Sequence, residues 1–282
     1  MNVPKQFKLI LSVLGFLAMT LIGYKVYVLS HHKPEFSGES LYTVTYRYFF
    51  KTDSKHTFIK AYLPKNSSRQ KISQQKSVMP NSIQFSTKAE GPNVRGNWST
   101  YTKNTYESVS YSFSFKGKNQ LFGLTDWFKP VPEGMDIFLE GTENIQVHAS
   151  KISDLAKRLV QTTHTDKARV EALFHYVHKM PSAPIITLTD ALGALERNEA
   201  SCNGKSRLLV ALARNLGYPA RIKGGIVLNE SNKRTSHAWT EIYVNDSWVP
   251  FDALNGHFAY LPGNYLELYE GDEFLITHSP GI

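Results

Sequence analysis

The sequence predicts an α+β fold, in which helices plus an antiparallel sheet are preceded by a β-rich domain and an N-terminal transmembrane helix. Three patterns support this: an apolar run near the start, period-two alternation in residues 40–148, and helical periodicity from residue 149 that gives way to strands. Helices followed by an antiparallel sheet are an α+β order. We therefore divide the 282 residues into an anchor (1–30), a linker (31–39), a β-rich domain (40–148) and an α+β domain (149–282).

The N-terminal apolar run covers residues 9–29 and is interrupted by one charge, Lys25. Its length matches the roughly 20 residues that a helix needs to cross a bilayer. Lys5 and Lys8 precede it, so the positive-inside rule predicts a single-pass protein with a cytoplasmic N-terminus and extracytoplasmic main domains, periplasmic or on the cell surface. A cleaved signal peptide is the alternative, but residues 19–24 offer a poor A-x-A-like site.

Strand patterns dominate the β-rich domain. Residues 41–50 are dense in β-branched and aromatic side chains, and residues 107–115 alternate serine with large apolar residues. Such alternation is typical of a strand with one buried face. We also predict strands at 57–63, 82–88 and 136–147, and a polar loop at 66–76.

The α+β domain opens with helical spacing. We predict helices at 152–162, 166–179, 188–195 and 203–216, the last ending at Gly217 and Pro219. Strands follow at 220–228, 236–244 and 248–253.

The formal net charge of +8 raises the question of a nucleic-acid partner. The 32 basic residues are scattered, with no run longer than two and no recognisable nucleic-acid motif. We therefore expect no nucleic-acid binding, and a solvated basic surface instead.

Cys202 is the only cysteine, so no internal disulfide can form even though we expect a compartment that favours disulfides. Ser201 is a natural helix N-cap, which places Cys202 in the first turn of the helix. Free N–H groups there favour a thiolate and can stabilise an oxyanion, and Gly204 would keep the approach uncrowded. A buried, inert cysteine is the alternative.

A hairpin places an imidazole beside a carboxylate. If Asn245 and Asp246 form a two-residue turn, Trp239 lies opposite Asp252 and His237 becomes its diagonal neighbour. An imidazole oriented by a carboxylate, together with a thiol at a helix start, is the arrangement that activates cysteine for acyl transfer. We therefore predict a catalytic triad of Cys202, His237 and Asp252. On the same hairpin, we expect Trp239 and Trp248 to wall the cleft and Glu241 to pair with a nearby Arg or Lys.

Three blocks resemble the core of bacterial transglutaminase-like proteins. They are Cys202-Asn203-Gly204-Lys205-Ser206 with residues 211–221, His237-Ala238-Trp239, and Trp248-Val249-Pro250-Phe251-Asp252. The resemblance covers about residues 150–260. It implies a papain-like cysteine fold with Cys202 as nucleophile, His237 as general base and acid, and Asp252 as the residue that orients His237.

The tail after Asp252 also resembles a membrane-associated transglutaminase-like family whose members are often fused to seven transmembrane helices and described as inactive. The 282 residues contain no such bundle, and all three triad residues are present. We therefore do not carry inactivity over to this chain.

These patterns predict a membrane-anchored cysteine enzyme acting on amide bonds through a thioester. It would be a peptidase or amidase if water is the acceptor, and an acyltransferase if an amine is. We expect a protein or peptide substrate, with cell-wall peptide as one form, and no cofactor or metal. His164, His175 and His178 lie in or beside helices, where His175 and His178 could share a face, but no third ligand at a metal-like spacing supports a zinc site. The alternative is a non-catalytic extracytoplasmic binding module that keeps the fold. The sequence leaves the acceptor and the oligomeric state open.

Overall fold

Alternating side chains build two antiparallel sheets in the β-rich part. The computed structural model describes residues 38–52, 56–101, 105–184, 188–229 and 236–279. The strands of this part are β1 (Glu39–Lys51), β2 (Thr57–Tyr62), β3 (Gln70–Val78), β4 (Gln84–Glu90), β5 (Asn93–Thr100), β6 (Tyr106–Lys118) and β14 (Ile276–His278). They form a three-stranded sheet with the order β1-β6-β3 and a four-stranded sheet with the order β14-β2-β5-β4.

The inward faces of these two sheets share one apolar core. Trp98 is fully buried at its centre, and the alternating apolar residues of β6, Val109, Tyr111, Phe113 and Phe115, line it. The serines between them remain partly exposed. The alternating residues 107–115 therefore form part of a strand with one buried face, as the sequence predicts.

Two sequence predictions in this part are wrong. The predicted strand at 136–147 is instead a 3-10 helix at Asp136–Phe138 followed by turns, with one isolated bridge between Thr142 and Ile145. The predicted loop at 66–76 contains most of β3. That strand lies at a sheet edge and buries few side chains, Ile72 among them, so it lacks the apolar alternation that would reveal it.

Four helices and a second sheet form the α+β part. The helices are α1 (Ser150–Val160), α2 (Asp166–Lys179), α3 (Ala191–Arg197) and α4 (Cys202–Asn215). The five-stranded antiparallel sheet has the order β11-β10-β9-β8-β13. Its strands are β8 (Ala220–Val227), β9 (His237–Val244), β10 (Ser247–Asp252), β11 (His257–Phe258) and β13 (Tyr265–Glu270).

Helix α4 is the centre of the second core. Its residues 208–213 are completely buried against the other helices and one face of the five-stranded sheet. Ala238 and Ile242 of β9 and Val249 and Phe251 of β10 form that face. The opposite side chains of the hairpin are thereby directed to the other face, where the predicted chemistry lies.

The chain crosses between the two parts several times. Strand β7 (Gln120–Leu121) pairs with β12 (Tyr260–Leu261), and β14 returns from the C-terminal end to pair with β2. Ile145 and Val147, from before residue 149, belong to the core around α4. The described residues from Glu39 onward form one compact unit.

The predicted anchor lies outside the described residues, as does the linker up to residue 37. Within the described ranges, no helix combines the length and the apolar character needed to span a bilayer.

Candidate active site

Helix α4 presents Cys202 at its first position. Ser201 is the N-cap residue with extended backbone, as the sequence indicates, but its side chain makes no capping hydrogen bond. The thiol is only 3% exposed and lies among the free N–H groups of the first turn. Placement at a helix N-terminus favours the negatively charged form of the sulfur.

The hairpin of β9 and β10 has the register that the sequence predicts. Asn245 and Asp246 both have positive φ, 49° and 65°, as a two-residue type I′ turn requires. Val244 pairs with Ser247, and Thr240 pairs with Phe251. Continuing this register places Asp252 opposite Trp239 and diagonally beside His237.

The structure brings Cys202, His237 and Asp252 together. His237 Nε2 lies 2.6 Å from Asp252 Oδ2. A carboxylate can only accept, so Nε2 carries a proton and Nδ1 is the nitrogen left for the sulfur. His237 lowers the pKa of the Cys202 thiol and Cys202 raises the pKa of His237, so the two side chains are close enough to interact. All three residues are buried, and Asp252 completely so.

The electrostatics of the site favour a thiolate and imidazolium pair. Burial opposes charge on every member, but the contacts outweigh burial. Burial lowers the pKa of His237, whereas the bonds to Asp252 and Cys202 raise it to about 9. Burial raises the pKa of the Cys202 thiol, and the stronger influence of His237 and nearby backbone N–H groups lowers it below its ordinary value.

Asp252 stays ionised at all ordinary pH values. Burial raises its pKa, but His237 and Tyr265 together with backbone donors lower it to about 2. Its Oδ1 accepts from the backbone N–H groups of Leu254 and Asn255 at 3.0 and 3.1 Å. The carboxylate is therefore fixed at one oxygen by the turn that follows β10.

Sequence reasoning missed two residues of this site. The Tyr265 hydroxyl donates to Asp252 Oδ2 at 2.7 Å, and Asn255 Nδ2 donates to the same oxygen at 2.8 Å. Asn255 lies three residues after Asp252 and could have been suspected from that spacing. Tyr265 lies on β13, and the hairpin register alone gives no signal for it.

Three other residues near the triad have roles that the structure defines. Gly204 serves packing rather than substrate access, because a Cβ there would lie 2.2 Å from Thr189 Oγ1. Trp239 is completely buried beside Tyr265, so it supports the site from behind and does not wall an open cleft. Glu241 pairs with Arg221 at 2.7 Å, the kind of ion pair expected for it.

In the described ranges, no cluster of three or more histidine, cysteine, aspartate or glutamate residues could hold a metal ion. His175 instead contacts the Glu171 carbonyl of its own helix, and His178 contacts the Ala253 carbonyl.

Comparison with known proteins agrees with this geometry. The sequence model of the transglutaminase-like superfamily matches residues 153–253, which include Cys202, His237 and Asp252. This part of the chain is a transglutaminase-like domain. No curated protein matches the chain at a significant level.

A solved structure shares the fold. A candidate cysteine protease from Cytophaga hutchinsonii is 20% identical and superposes with a TM-score of 0.69, covering 86% of this chain and 87% of that one. The periplasmic domain of TgpA from Pseudomonas aeruginosa, bound to ethylmercury, is 15% identical with a TM-score of 0.40, covering 77% and 75%. Because the first of these proteins is only 20% identical, its likeness concerns the fold alone. It covers the β-rich part as well as the transglutaminase-like domain.

The charge state of Cys202 can be tested by alkylation. We expect iodoacetamide to label Cys202 rapidly at about pH 6, because the lowered thiol pKa leaves thiolate well below the ordinary cysteine pKa of about 8.5. Replacing His237 by alanine removes the imidazolium, so labelling at that pH should slow at least about tenfold. The measurement is mass spectrometry of the labelled protein over time.

His175→Ala is the matched control, since His175 is exposed and contacts only its own helix. Its labelling rate should equal that of the wild type. Because Cys202 is only 3% exposed, the test compares rates across pH rather than absolute rates: a wild-type rate that rises only near pH 8.5, as for an ordinary thiol, or that His237→Ala leaves unchanged, would contradict an activated thiol.

Proposed function

We propose that this protein is a cysteine enzyme that cleaves or transfers amide-linked acyl groups through a thioester on Cys202. The observation that carries the proposal is His237, whose Nε2 lies 2.6 Å from Asp252 Oδ2 while its imidazole interacts with the Cys202 thiol. A purely structural histidine needs neither a thiol at a helix start nor a carboxylate with a pKa of about 2.

The reaction begins when the Cys202 thiolate attacks the substrate carbonyl. The carbonyl oxygen becomes an oxyanion, to which the free N–H groups at the start of α4 can donate. His237, already protonated, gives its Nδ1 proton to the leaving amine as the carbon–nitrogen bond breaks. A thioester on Cys202 and a neutral imidazole remain.

The second half of the reaction depends on the acceptor. Neutral His237 takes a proton from water or from an amine, which then attacks the thioester. Water completes hydrolysis, as in a peptidase or amidase, and an amine completes acyl transfer. Asp252 holds the Nε2 proton throughout and stabilises the imidazolium in both halves.

Burial of the thiol is the observation that favours the alternative, a binding module that keeps the fold without catalysis. Cys202 is 3% exposed, so a substrate carbonyl reaches it only if neighbouring groups move. Against this alternative stands the charge arrangement, which a binding surface does not require.

We also propose that residues 9–29 anchor the protein in a membrane with the main domains outside the cytoplasm. The apolar run and the flanking Lys5 and Lys8 support this orientation. Alkaline phosphatase fused after residue 40 should be active, and a fluorescent protein fused there should be dark. The reverse pair of signals, or a mature N-terminus beyond residue 20, would refute the anchor.

Thioester formation is the direct test of the proposed function. The full chain is incubated with activated esters, glutamine-containing peptides and cell-wall peptides, quenched in acid, and examined by intact-mass spectrometry. We expect an acyl adduct on Cys202 that hydroxylamine removes and that Cys202→Ala lacks. If no donor gives an adduct while iodoacetamide still labels rapidly, the binding-module alternative replaces the enzyme.

Asp252→Asn should be nearly as damaging as His237→Ala. The two backbone N–H groups that bond Oδ1 keep the oxygen of the new asparagine amide at that position. The amide nitrogen therefore takes the position of Oδ2, where it faces hydrogen-bond donors instead of acceptors. His237 Nε2 must then accept, which moves the ring proton to Nδ1 and removes the base. We expect acylation to fall by about 10³ to 10⁴.

Asp166→Asn is the control for Asp252→Asn, since Asp166 likewise accepts a tyrosine hydroxyl, that of Tyr218. Its acylation rate should be unchanged. An Asp252→Asn protein that acylates within about tenfold of the wild type would rule out the tautomer argument.

A further inference from the structure

Three side-chain donors converge on one carboxylate oxygen. Asp252 Oδ2 lies 2.6 Å from His237 Nε2, 2.7 Å from the Tyr265 hydroxyl and 2.8 Å from Asn255 Nδ2. Asn255 Nδ2 also donates to the Tyr265 hydroxyl at 2.8 Å. Each proton in this group has one acceptor, so the directions of the hydrogen bonds are determined.

Asn255 covers the bond between His237 and Asp252. Its Nδ2 lies 3.4 Å from His237 Nε2, and since both nitrogens carry protons this contact is not a hydrogen bond. The Asn255 residue is itself exposed. Its amide therefore lies beside the pair without bonding the imidazole, so the Nε2 proton goes to Asp252 rather than to Asn255.

Tyr265 contacts both members of the pair. Besides its bond to Asp252, its ring packs edge to face on the His237 ring, with centroids 5.7 Å apart. Tyr265 is 2% exposed and also packs against Trp239. One side chain thus fixes both the carboxylate and the plane of the imidazole.

The β-rich part holds the backbone of Tyr265. The Arg69 guanidinium donates to the Tyr265 carbonyl, and to the Pro262 carbonyl at 3.1 Å. Arg69 is 3% exposed and precedes β3, almost 200 residues away along the chain. A planar guanidinium that bonds two carbonyls sets their positions, which a lysine would not do.

The same part also covers the free edge of β13. The Gln70 side chain donates to the Glu267 carbonyl at 2.8 Å and accepts from the Glu267 N–H at 2.9 Å. The Asn93 side chain bonds the backbone of Glu270 in the same way: it donates to the Glu270 carbonyl at 2.9 Å and accepts from the Glu270 N–H at 2.8 Å. Two side-chain amides thus replace a neighbouring strand along the edge that carries Tyr265.

We propose that Tyr265 and Asn255 are positioning residues for Asp252, and that the β-rich part holds Tyr265 in place through Arg69, Gln70 and Asn93. The proposal rests on the proposed function, because it assigns what orients that triad. It gives the β-rich part a role in positioning the triad, since the contacts run from Arg69 through Tyr265 and Asp252 to His237.

Any test must distinguish the effects of Tyr265 and Asn255 from those of other charged groups that act on Asp252. Lys205 of α4 lies close enough for its charge to interact with Asp252, and its ammonium donates to the Met180 carbonyl at 2.7 Å. His257 of β11 interacts with both Asp252 and His237, and burial lowers its pKa. Profiles recorded in a His257→Gln background remove that titration.

The first test is the pH profile of Cys202 alkylation in Tyr265→Phe and Asn255→Ala. Each change removes a donor that fixes the orientation of Asp252, so the carboxylate is free to turn away from His237 Nε2, the imidazolium loses its acceptor and the thiolate forms at higher pH. A donor that only withdrew charge from the carboxylate would have the opposite effect, because its loss would strengthen the bond to His237 and move the profile to lower pH. We expect the acid limb of the profile, which is the pH range over which the labelling rate rises, to move to higher pH. At the pH of the wild-type half-maximum, labelling should slow roughly threefold to tenfold, as the loss of one hydrogen bond implies.

Tyr218→Phe is the matched control for Tyr265→Phe. Tyr218 donates to Asp166 at 2.7 Å, a bond of the same kind and length outside the site. It should lower the melting temperature without moving the profile. A profile that Tyr265→Phe leaves in place, or that Tyr218→Phe moves equally, overturns the positioning role.

The second test addresses the β-rich part with Arg69→Met. We expect the acid limb to move in the same direction as in Tyr265→Phe, and by less, since Arg69 acts through the backbone. Arg95→Met is the control, because Arg95 pairs with Glu90 within the same part of the chain. If Arg69→Met does not fold, Arg69→Lys and Gln70→Leu replace it.

The outcomes separate this inference from the proposed function. A wild-type labelling rate that rises only near pH 8.5 contradicts the function itself, as do donors that never acylate Cys202. Rapid wild-type labelling with unmoved profiles in Arg69→Met, Arg69→Lys and Gln70→Leu overturns only the role of the β-rich part.

Discussion

The hydrogen bond between His237 Nε2 and Asp252 Oδ2 is the contact on which the rest of the site depends, and it exists because of a two-residue turn. Asn245 and Asp246 adopt the left-handed conformations of a type I′ turn, which fixes the register of β9 against β10. A slip of one residue would move His237 to the helix-facing side of the sheet. The chemistry at residue 252 is thus set by the backbone at residues 245 and 246.

Burial of so many ionised groups requires compensation, and the fold supplies it locally. A thiolate at Cys202, an imidazolium at His237 and a carboxylate at Asp252 sum to one negative charge. Lys205, one turn after Cys202 on α4 and 2% exposed, brings one positive charge into the same region. Its ammonium bonds the carbonyls of His178 and Met180 at the C-terminal end of α2, where a cation is favoured.

Residues close in sequence made the site predictable, and residues far apart limited the prediction. Cys202 follows an N-cap, and His237 and Asp252 share one hairpin, so local rules locate all three. Tyr265 and Arg69 meet the triad only through the pairing of β13 with β8 and the packing of the β-rich part, which no local pattern reveals. The polar edge strand β3 escaped prediction for a related reason, since its partners are distant and its exposed side chains show no alternation.

The contacts at the edge of β13 also determine which part of the chain can be separated from the rest without loss of structure. Glu267 and Glu270 bond through their backbones to the side chains of Gln70 and Asn93, and the Tyr265 carbonyl bonds to Arg69. A fragment beginning at residue 149 would lose all these partners and the buried contacts of Ile145 and Val147 with the core around α4. Backbone groups left without partners in a buried position each cost free energy, so the sheet edge that carries Tyr265 would loosen first. The superfamily match at residues 153–253 marks where the shared motifs lie, whereas the unit that holds Asp252 in position extends back to Arg69.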